Sequence, residues 1–223
     1  MGEREGDRYG DGDPAPASGG KTRDRALFDA AKTGDRAAFA EIVQRFQPRV
    51  YRVACHMLRD RALAEDVTQE VFVRCWRALA SFDGRSEPFT WVYRIAVNLS
   101  LNTIRSRKNL RKNDPIDDPR FAGVLVETKD SHRDPQGAAA RRQLYEALAE
   151  AIDGLSETLR TTLILVAIDG RSHEEAAAIL GAPEGTIAWR IHEARKKLRK
   201  ALLEKGFDEG ALEGVAGTQG SGP

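Results

Sequence analysis

Ser172-His-Glu-Glu-Ala-Ala-Ala-Ile-Leu-Gly-Ala-Pro-Glu-Gly-Thr-Ile-Ala-Trp-Arg-Ile-His-Glu-Ala-Arg-Lys-Lys-Leu198 is the stretch on which the fold turns. Ser172 with Glu175 three residues on is a capping box: the hydroxyl caps the new helix and the carboxylate reaches back to the cap. The short helix it opens carries Ala176, Ala177, Ile179 and Leu180, and stops at Gly181-Ala-Pro183. A second helix follows at once, with Ile187, Ile191, Ala194, Leu198 and Leu202 on one side. A short capped helix, a tight turn bearing glycine and a longer basic helix predict a helix-turn-helix. Ala177 is small where two crossing helices must approach. In such a motif the first turns of the second helix enter the DNA major groove. Here they offer Glu184, Thr186, Ala188, Trp189, Arg190, His192 and Glu193, while Arg195, Lys196, Lys197, Arg199 and Lys200 can hold phosphates. The same spacing also suits a plain antiparallel helix pair.

The helical period extends outward from this core. Helices are expected over 138–152 and 156–168, then 172–180 and 184–204, with no strand signal between them. Before them, Asn113-Asp-Pro-Ile-Asp-Asp-Pro119 contains two Asx-Pro steps, and little regular structure is expected before Asp134-Pro135. So long an irregular stretch fits a linker better than a loop inside one compact domain. Further upstream, Asp35 is an N-cap for a helix in which Phe39, Ile42, Val43, Phe46, Val50, Val53, Ala54 and Met57 recur every three or four residues. Pro48 is expected to bend it or to start a second helix. Another helix, 63–79, buries Leu63, Val67, Val71, Cys75 and Leu79, with Phe72 and Trp76 widening the stripe, and shows Asp66, Gln69, Glu70, Val73 and Arg77 on its other side. After the turn-rich Asp83-Gly-Arg-Ser-Glu-Pro88, a helix to about Arg107 buries Val92, Ile95, Ala96, Leu99 and Thr103. Trp91, Arg94, Asn98, Asn102 and Arg105 lie opposite.

The chain therefore reads as all-α: a disordered tail (1–22), a first small helical domain (23–112), a flexible acidic linker (113–137), a second domain (138–205) and another tail (206–223). Composition agrees. Lys and Arg total 35 against 34 Asp and Glu, but the charge is unevenly spread. Residues 23–112 carry a net +8, residues 113–140 a net −3, and 188–205 hold 7 basic residues against 2 acidic. Two basic surfaces about an acidic strap suit two contacts with a polyanion, because clustered cations displace counterions from phosphates. Solvated helix faces would give the same arithmetic. No apolar run approaches the roughly 20 residues that span a bilayer, and the opening Met-Gly-Glu-Arg-Glu-Gly-Asp-Arg is too polar for a secretory signal. Cys55 and Cys75 form no metal-binding pair and no disulfide framework, so reduced thiols in the cytoplasm are expected. The four histidines are dispersed, and His173-Glu-Glu175 lacks the second histidine of a zinc-protease helix. No catalytic residues, metal site or cofactor are expected.

At this point the chain resembles the extracytoplasmic-function sigma factors, the two-domain initiation subunits of bacterial RNA polymerase within the sigma-70 family. The likeness runs from Ala30-Ala-Lys-Thr-Gly-Asp-Arg-Ala-Ala-Phe39 through Ala64-Glu-Asp-Val-Thr-Gln-Glu-Val-Phe-Val73 to Thr90-Trp-Val-Tyr-Arg-Ile-Ala-Val-Asn98. It resumes at Leu155-Ser-Glu-Thr-Leu-Arg160 and continues through Asp169-Gly-Arg-Ser-His-Glu-Glu175, Glu184-Gly-Thr-Ile187 and Arg195-Lys-Lys-Leu198.

The resemblance implies a region 2-like domain that binds core polymerase and opens the −10 promoter element, and a region 4-like helix-turn-helix that reads the −35 element. It places Asp66, Gln69, Glu70 and Val73 against the clamp helices of the largest polymerase subunit. Ala78, Phe82, Asn98 and Asn102 fall on the pocket for a base taken out of the stack, with Trp91, Arg94 and Arg105 beside it. Thr186, Ala188, Trp189, Arg190, His192, Arg195 and Lys196 fall on the −35 surface. The linker would thread the polymerase active-site and RNA-exit region, and the second domain would touch the polymerase flap. An anti-sigma factor is implied as a regulatory partner. Ala188-Trp189 replaces a small polar or basic pair, and Glu193 stands where a basic residue is frequent, so no −35 consensus carries over. The rival reading is a free-standing helix-turn-helix regulator that binds duplex DNA alone.

Overall fold

The computed structural model describes residues 18–111 and 135–207. The tails expected over 1–17 and 208–223 and the linker over 112–134 lie outside the described residues. Eight helices follow in order among the described residues: α1 (Ser18–Lys32), α2 (Arg36–Leu58), α3 (Arg61–Ala78), α4 (Pro88–Arg111), α5 (Pro135–Asp153), α6 (Glu157–Leu163), α7 (His173–Leu180) and α8 (Glu184–Glu204). A 3-10 turn, Leu79–Ser81, ends α3, and a π-helical turn, Ile164–Ile168, ends α6. The described residues contain no strand.

The helices start where short polar side chains can satisfy free backbone N–H groups. Asp35 accepts from the N–H of Ala37 and Ala38 at 2.8 and 3.0 Å. Asp60 accepts from Leu63 at 3.1 Å, and the Ser172–Glu175 box closes in both directions at 3.0 and 2.9 Å. Gly181, at φ 62°, ends α7 in the left-handed region where a side chain would be strained.

Three expected boundaries move. Helix α1 begins at Ser18, inside the stretch expected to be tail. Asp24, Phe28 and Ala31 are buried along one face, and with no proline between Ser18 and Lys32 the helix propagates back from that anchored face, through Gly19 and Gly20. Helix α5 begins at Pro135 rather than 138, because a proline in the first helical position needs no N–H partner. Gly206 and Phe207, expected in the second tail, close α8 instead: Phe207 N–H donates to Leu202 and Gly206 N–H to Leu203, with Gly206 at φ 86°. Helix α2 also runs unbroken through Pro48, which is exposed. Its neighbours Phe46, Arg49 and Val50 are buried on the core side and hold both halves of the helix in line.

Helices α1–α4 pack around Phe28, Ile42, Phe46, Val50, Val53, Val71, Val92 and Val97. Ile164, Leu165, Ala176, Ile179 and Ile187 from the second half join that same core. A second cluster, Ala149, Ile152, Leu155, Leu159, Leu163, Ile191 and Ala194, holds α5, α6 and α8 together. The halves meet mainly where α7 packs on α4 and the π-helical turn packs on α2.

A buried polar knot fixes that junction. Asp169, just after the π-helical turn, accepts from the Tyr93 hydroxyl and, at 3.1 Å, from Arg171 Nε. Arg52 Nε lies 3.5 Å from its other oxygen. The Arg171 guanidinium covers the rings of Phe89 and Tyr93 at 5.3 and 5.6 Å. Burial, and then the Asp169 charge, hold the Tyr93 phenol well above its ordinary pKa, so it stays protonated and donates. Further out, Arg94 donates to the Ala178 carbonyl, Arg59 pairs with Asp153, and Arg105 grips Glu157 at 2.5 Å.

Candidate functional site

Three surfaces take shape on this scaffold. The first is the outer face of α3. Val67, Val71, Phe72 and Cys75 point inward, which turns Asp66, Gln69 and Val73 to solvent, with Glu70 half-buried beside them. Glu70 is held by Arg74 Nε at 2.7 Å, one helical turn on. Asp66 forms no ion pair among the described residues. Val73 is 42% exposed and Trp76 39%, the latter with its ring 4.8 Å from that of Phe39. The result is an acidic stripe around an apolar patch, held on a rigid helix.

The second surface lies between α3 and α4. An open cavity of about 470 Å³ is lined by Arg74, Arg77, Ala78, Ile95, Asn98, Leu99 and Asn102. Its volume falls in the range of small-ligand sites. Ala78 leaves room at the mouth. Asn98 and Asn102, one turn apart and both exposed, present carboxamides that can donate and accept against the edge of a base. Arg74 and Arg77 supply cations for a backbone phosphate. Three residues expected from the sequence, Ala78, Asn98 and Asn102, are thus brought together.

Phe82 does not join them. It is 3% exposed, with its ring 5.1 Å from Phe28 and 5.4 Å from Trp91, and here it packs the core behind the cavity. Trp91 is half-buried in the same cluster. Helix α1 braces the adjoining loop: Lys32 donates to the Phe82 carbonyl at 2.7 Å and Arg25 to that of Gly84 at 2.5 Å. Arg94 and Arg105 lie on α4 but are engaged by the second half, through Ala178 and Glu157.

The third surface is the outer face of α8. Ile187, Ile191, Ala194 and Leu202 anchor the helix inward. Gly185, Ala188, Trp189, His192, Arg195 and Lys196 are exposed, and Thr186 and Arg190 are half-exposed. Arg190, Arg195 and Lys196 form no ion pair among the described residues. Glu193 sits near the edge of this face and is paired with Lys197 at 3.8 Å, so its charge is offset within the helix.

Sequence reasoning missed Arg74 and Arg77 as cavity residues. Their spacing from Ala78, by four and one along α3, was a usable signal. It also missed Tyr93 and Asp169, 76 positions apart, for which no local pattern exists. Burial pushes the Cys75 thiol up to about 12, which leaves it unreactive. The described residues offer no group of side chains able to hold a metal ion.

Comparison with known proteins agrees with the geometry. Residues 42–110 match the family model for Sigma-70 region 2, and residues 145–198 that for Sigma-70, region 4. RNA polymerase sigma-H factor of Pseudomonas aeruginosa is 33% identical over 182 residues, covering 81% of this chain and 94% of the relative.

The chain belongs to the extracytoplasmic-function sigma factors.

Sigma factor SigW of Bacillus subtilis is 36% identical over 178 residues, 78% of this chain and 93% of that one. Among solved structures, CnrH in complex with the cytosolic domain of CnrY superposes with a TM-score of 0.58 at 27% identity, covering 82% of this chain and 98% of that one. RpoE of Bartonella quintana, bound to the anti-sigma factor NepR, gives 0.52 at 26% identity, covering 74% of this chain and 96% of that one. In this sigma factor the region 2 match contains the α3 stripe and the α3–α4 cavity, and the region 4 match contains the outer face of α8 described above. Helix α1 lies upstream of both.

Proposed function

We propose that this protein is an alternative sigma factor that binds bacterial core RNA polymerase and directs it to specific promoters. The observation that carries this reading is the α3–α4 cavity, with its two asparagines and two arginines, beside the α3 stripe. A regulator that reads duplex DNA alone has no use for a pocket sized for an unstacked base, nor for a second exposed face on the adjoining helix. Asp66, Gln69, Glu70 and Val73 would dock on the clamp helices of the largest subunit. Ala78, Asn98 and Asn102 would receive a base flipped out of the −10 element, where unstacking costs a few kcal/mol that contacts must return. Arg94 and Arg105, once released from the second half, would hold the single strand, with Trp91 and Phe82 stiffening the wall behind. Thr186, Ala188, Trp189, Arg190, His192, Arg195 and Lys196 would read the −35 element, and the second half would also meet the polymerase flap.

The sigma-70 family supplies no bond chemistry; the polymerase does. A factor with these partners acts where polymerase and chromosome are, in the cytoplasm, and no helix among the described residues is long and apolar enough to cross a membrane. The structural neighbour solved with the anti-sigma factor NepR supports an anti-sigma factor as a partner here. The test is gel filtration with core polymerase at about 0.2 M salt, where surface ion pairs are screened beyond roughly 8 Å. Stoichiometric co-elution is expected. A chain that elutes alone beside active core, yet binds duplex promoter DNA tightly, would return the free-standing regulator.

A further inference from the structure

Trp189 is 61% exposed, the most exposed large apolar side chain among the described residues. It makes no aromatic contact among them, whereas Trp76 rests on Phe39 and Trp91 on Phe28 and Phe82. Its direction is fixed by its neighbours. Ile187 and Ile191 are buried, and at 100° per residue the position midway between them points straight away from the core. Gly185 and Ala188 beside it are too small to screen it, so the indole projects beyond its surroundings in the first two turns of α8. Arg195 and Lys196, further along the exposed side, form no ion pair among the described residues. The face therefore runs from an N-terminal end where the indole projects between Glu184 and Arg190 to a cationic end suited to phosphates.

Major-groove chemistry narrows what such an indole selects. An indole offers a carbon edge and a single N–H donor, and it accepts nothing. Thymine shows a C5-methyl group beside the O4 acceptor, so both parts of the indole find a partner. Cytosine lacks the methyl and places the N4 amino donor where O4 stood. Donor then faces donor.

We propose that Trp189 is the specificity-determining residue of the −35 reading helix, selecting thymine at one position of the upstream element through its methyl group. This rests on the sigma reading above and names which base the departure at this position selects.

The test is selection of promoters from a library randomised across the upstream element, transcribed by core polymerase with the wild-type chain, Trp189→Ala or Trp189→Phe. Wild type should enrich thymine over cytosine at one position by about fivefold or more, the lower end for a good base contact. Trp189→Ala should bring that ratio within about twofold and leave the other enriched positions unchanged. Trp189→Phe, which keeps the ring and loses the donor, should fall between them. In a single template, deoxyuridine for that thymine should weaken binding by the wild-type holoenzyme about fourfold, the value of one buried methyl at about 0.8 kcal/mol. Binding with Trp189→Ala should not change. An unaltered thymine preference in Trp189→Ala, or deoxyuridine bound as tightly as thymidine, overturns the proposal. Transcripts with positional enrichment but no thymine overturn it while leaving the sigma reading intact. No transcript from any template removes the sigma reading itself. Because the side chain is exposed, unchanged thermal unfolding of both variants checks that the fold is not the cause.

Discussion

His56, on α2 near the junction of the two halves, has a buried Nδ1 with no hydrogen-bond partner. Burial holds its pKa below the ordinary 6.5; the Asp169 charge pulls it up and Arg52 pushes it down. The unfolded chain therefore takes up this proton first, so stability is complete above about pH 6.5 and is lost as pH falls toward the folded value. The slope from one such group reaches at most about 1.4 kcal/mol per pH unit. Denaturant midpoints measured from pH 7.5 downward should show this fall, and His56→Gln should flatten it; an equal slope in the variant rules His56 out. Asn98 allows a second prediction at this scale. It is exposed in the α3–α4 cavity, so Asn98→Ala should leave the fold and polymerase affinity unchanged. Promoter opening, followed by permanganate reactivity of −10 thymines, should slow about tenfold, as for loss of one base contact. Ala78, Asn98 and Asn102 were legible from the sequence because a family motif carries them. Tyr93 was read past, since nothing local marks a phenol whose acceptor lies 76 residues away.

Helices were legible to the extent that their causes are local. The capping box was readable because Ser172, Glu175 and the backbone groups they satisfy lie within one turn. Ser172→Ala should cost about 1 kcal/mol by removing the cap, seen as a lower unfolding midpoint with the helix-turn-helix otherwise intact. Pro48 shows the limit: its local rule predicts a bend, and burial of Phe46, Arg49 and Val50 around it overrides the rule. The start of α1 was hidden for the converse reason, because its first turns have no pattern of their own and follow from the burial of Phe28 and Ala31. Helix α3 was read well on both faces, save that Trp76, expected to widen the buried stripe, lies half-out beside Val73. Its outer face gives a prediction for the element as a unit. Asp66→Ala with Glu70→Ala removes one exposed and one half-buried charge and a surface pair with Arg74, worth about 0.3–0.5 kcal/mol. Thermal stability should barely move while affinity for core polymerase falls at least tenfold, measured by titration with labelled core. Unchanged affinity would move the polymerase contact off this face.

The whole molecule poses a problem that neither half shows alone. Two elements named −10 and −35 lie about 25 base pairs apart, roughly 85 Å of duplex at 3.4 Å per step. A folded body of this many ordered residues has a radius of gyration of about 15 Å. In the arrangement described here α4 faces α7, and Arg94 and Arg105 are spent on the second half. Both elements cannot be read at once until the halves part. The 23 residues of 112–134 could span up to roughly 80 Å if extended, enough to let them. Asp169 is the natural point of control, since it holds Tyr93 and Arg52 across the junction, with Arg171 of its own half beside it. Its neutralisation takes the buried counter-charge from Arg171, which keeps only Glu175 at 3.5 Å, and removes the tie to the part-exposed Arg52; losing one partner of a buried pair is strongly destabilising. With fluorophores on the exposed positions Gln44 and Lys200, energy transfer should be high in the free chain and should collapse on binding core polymerase. Asp169→Asn should lower it without polymerase, while the helical content of each half persists. Transfer that stays high in an active polymerase complex would mean that the halves remain docked, and −10 and −35 contacts would then have to come from different surfaces.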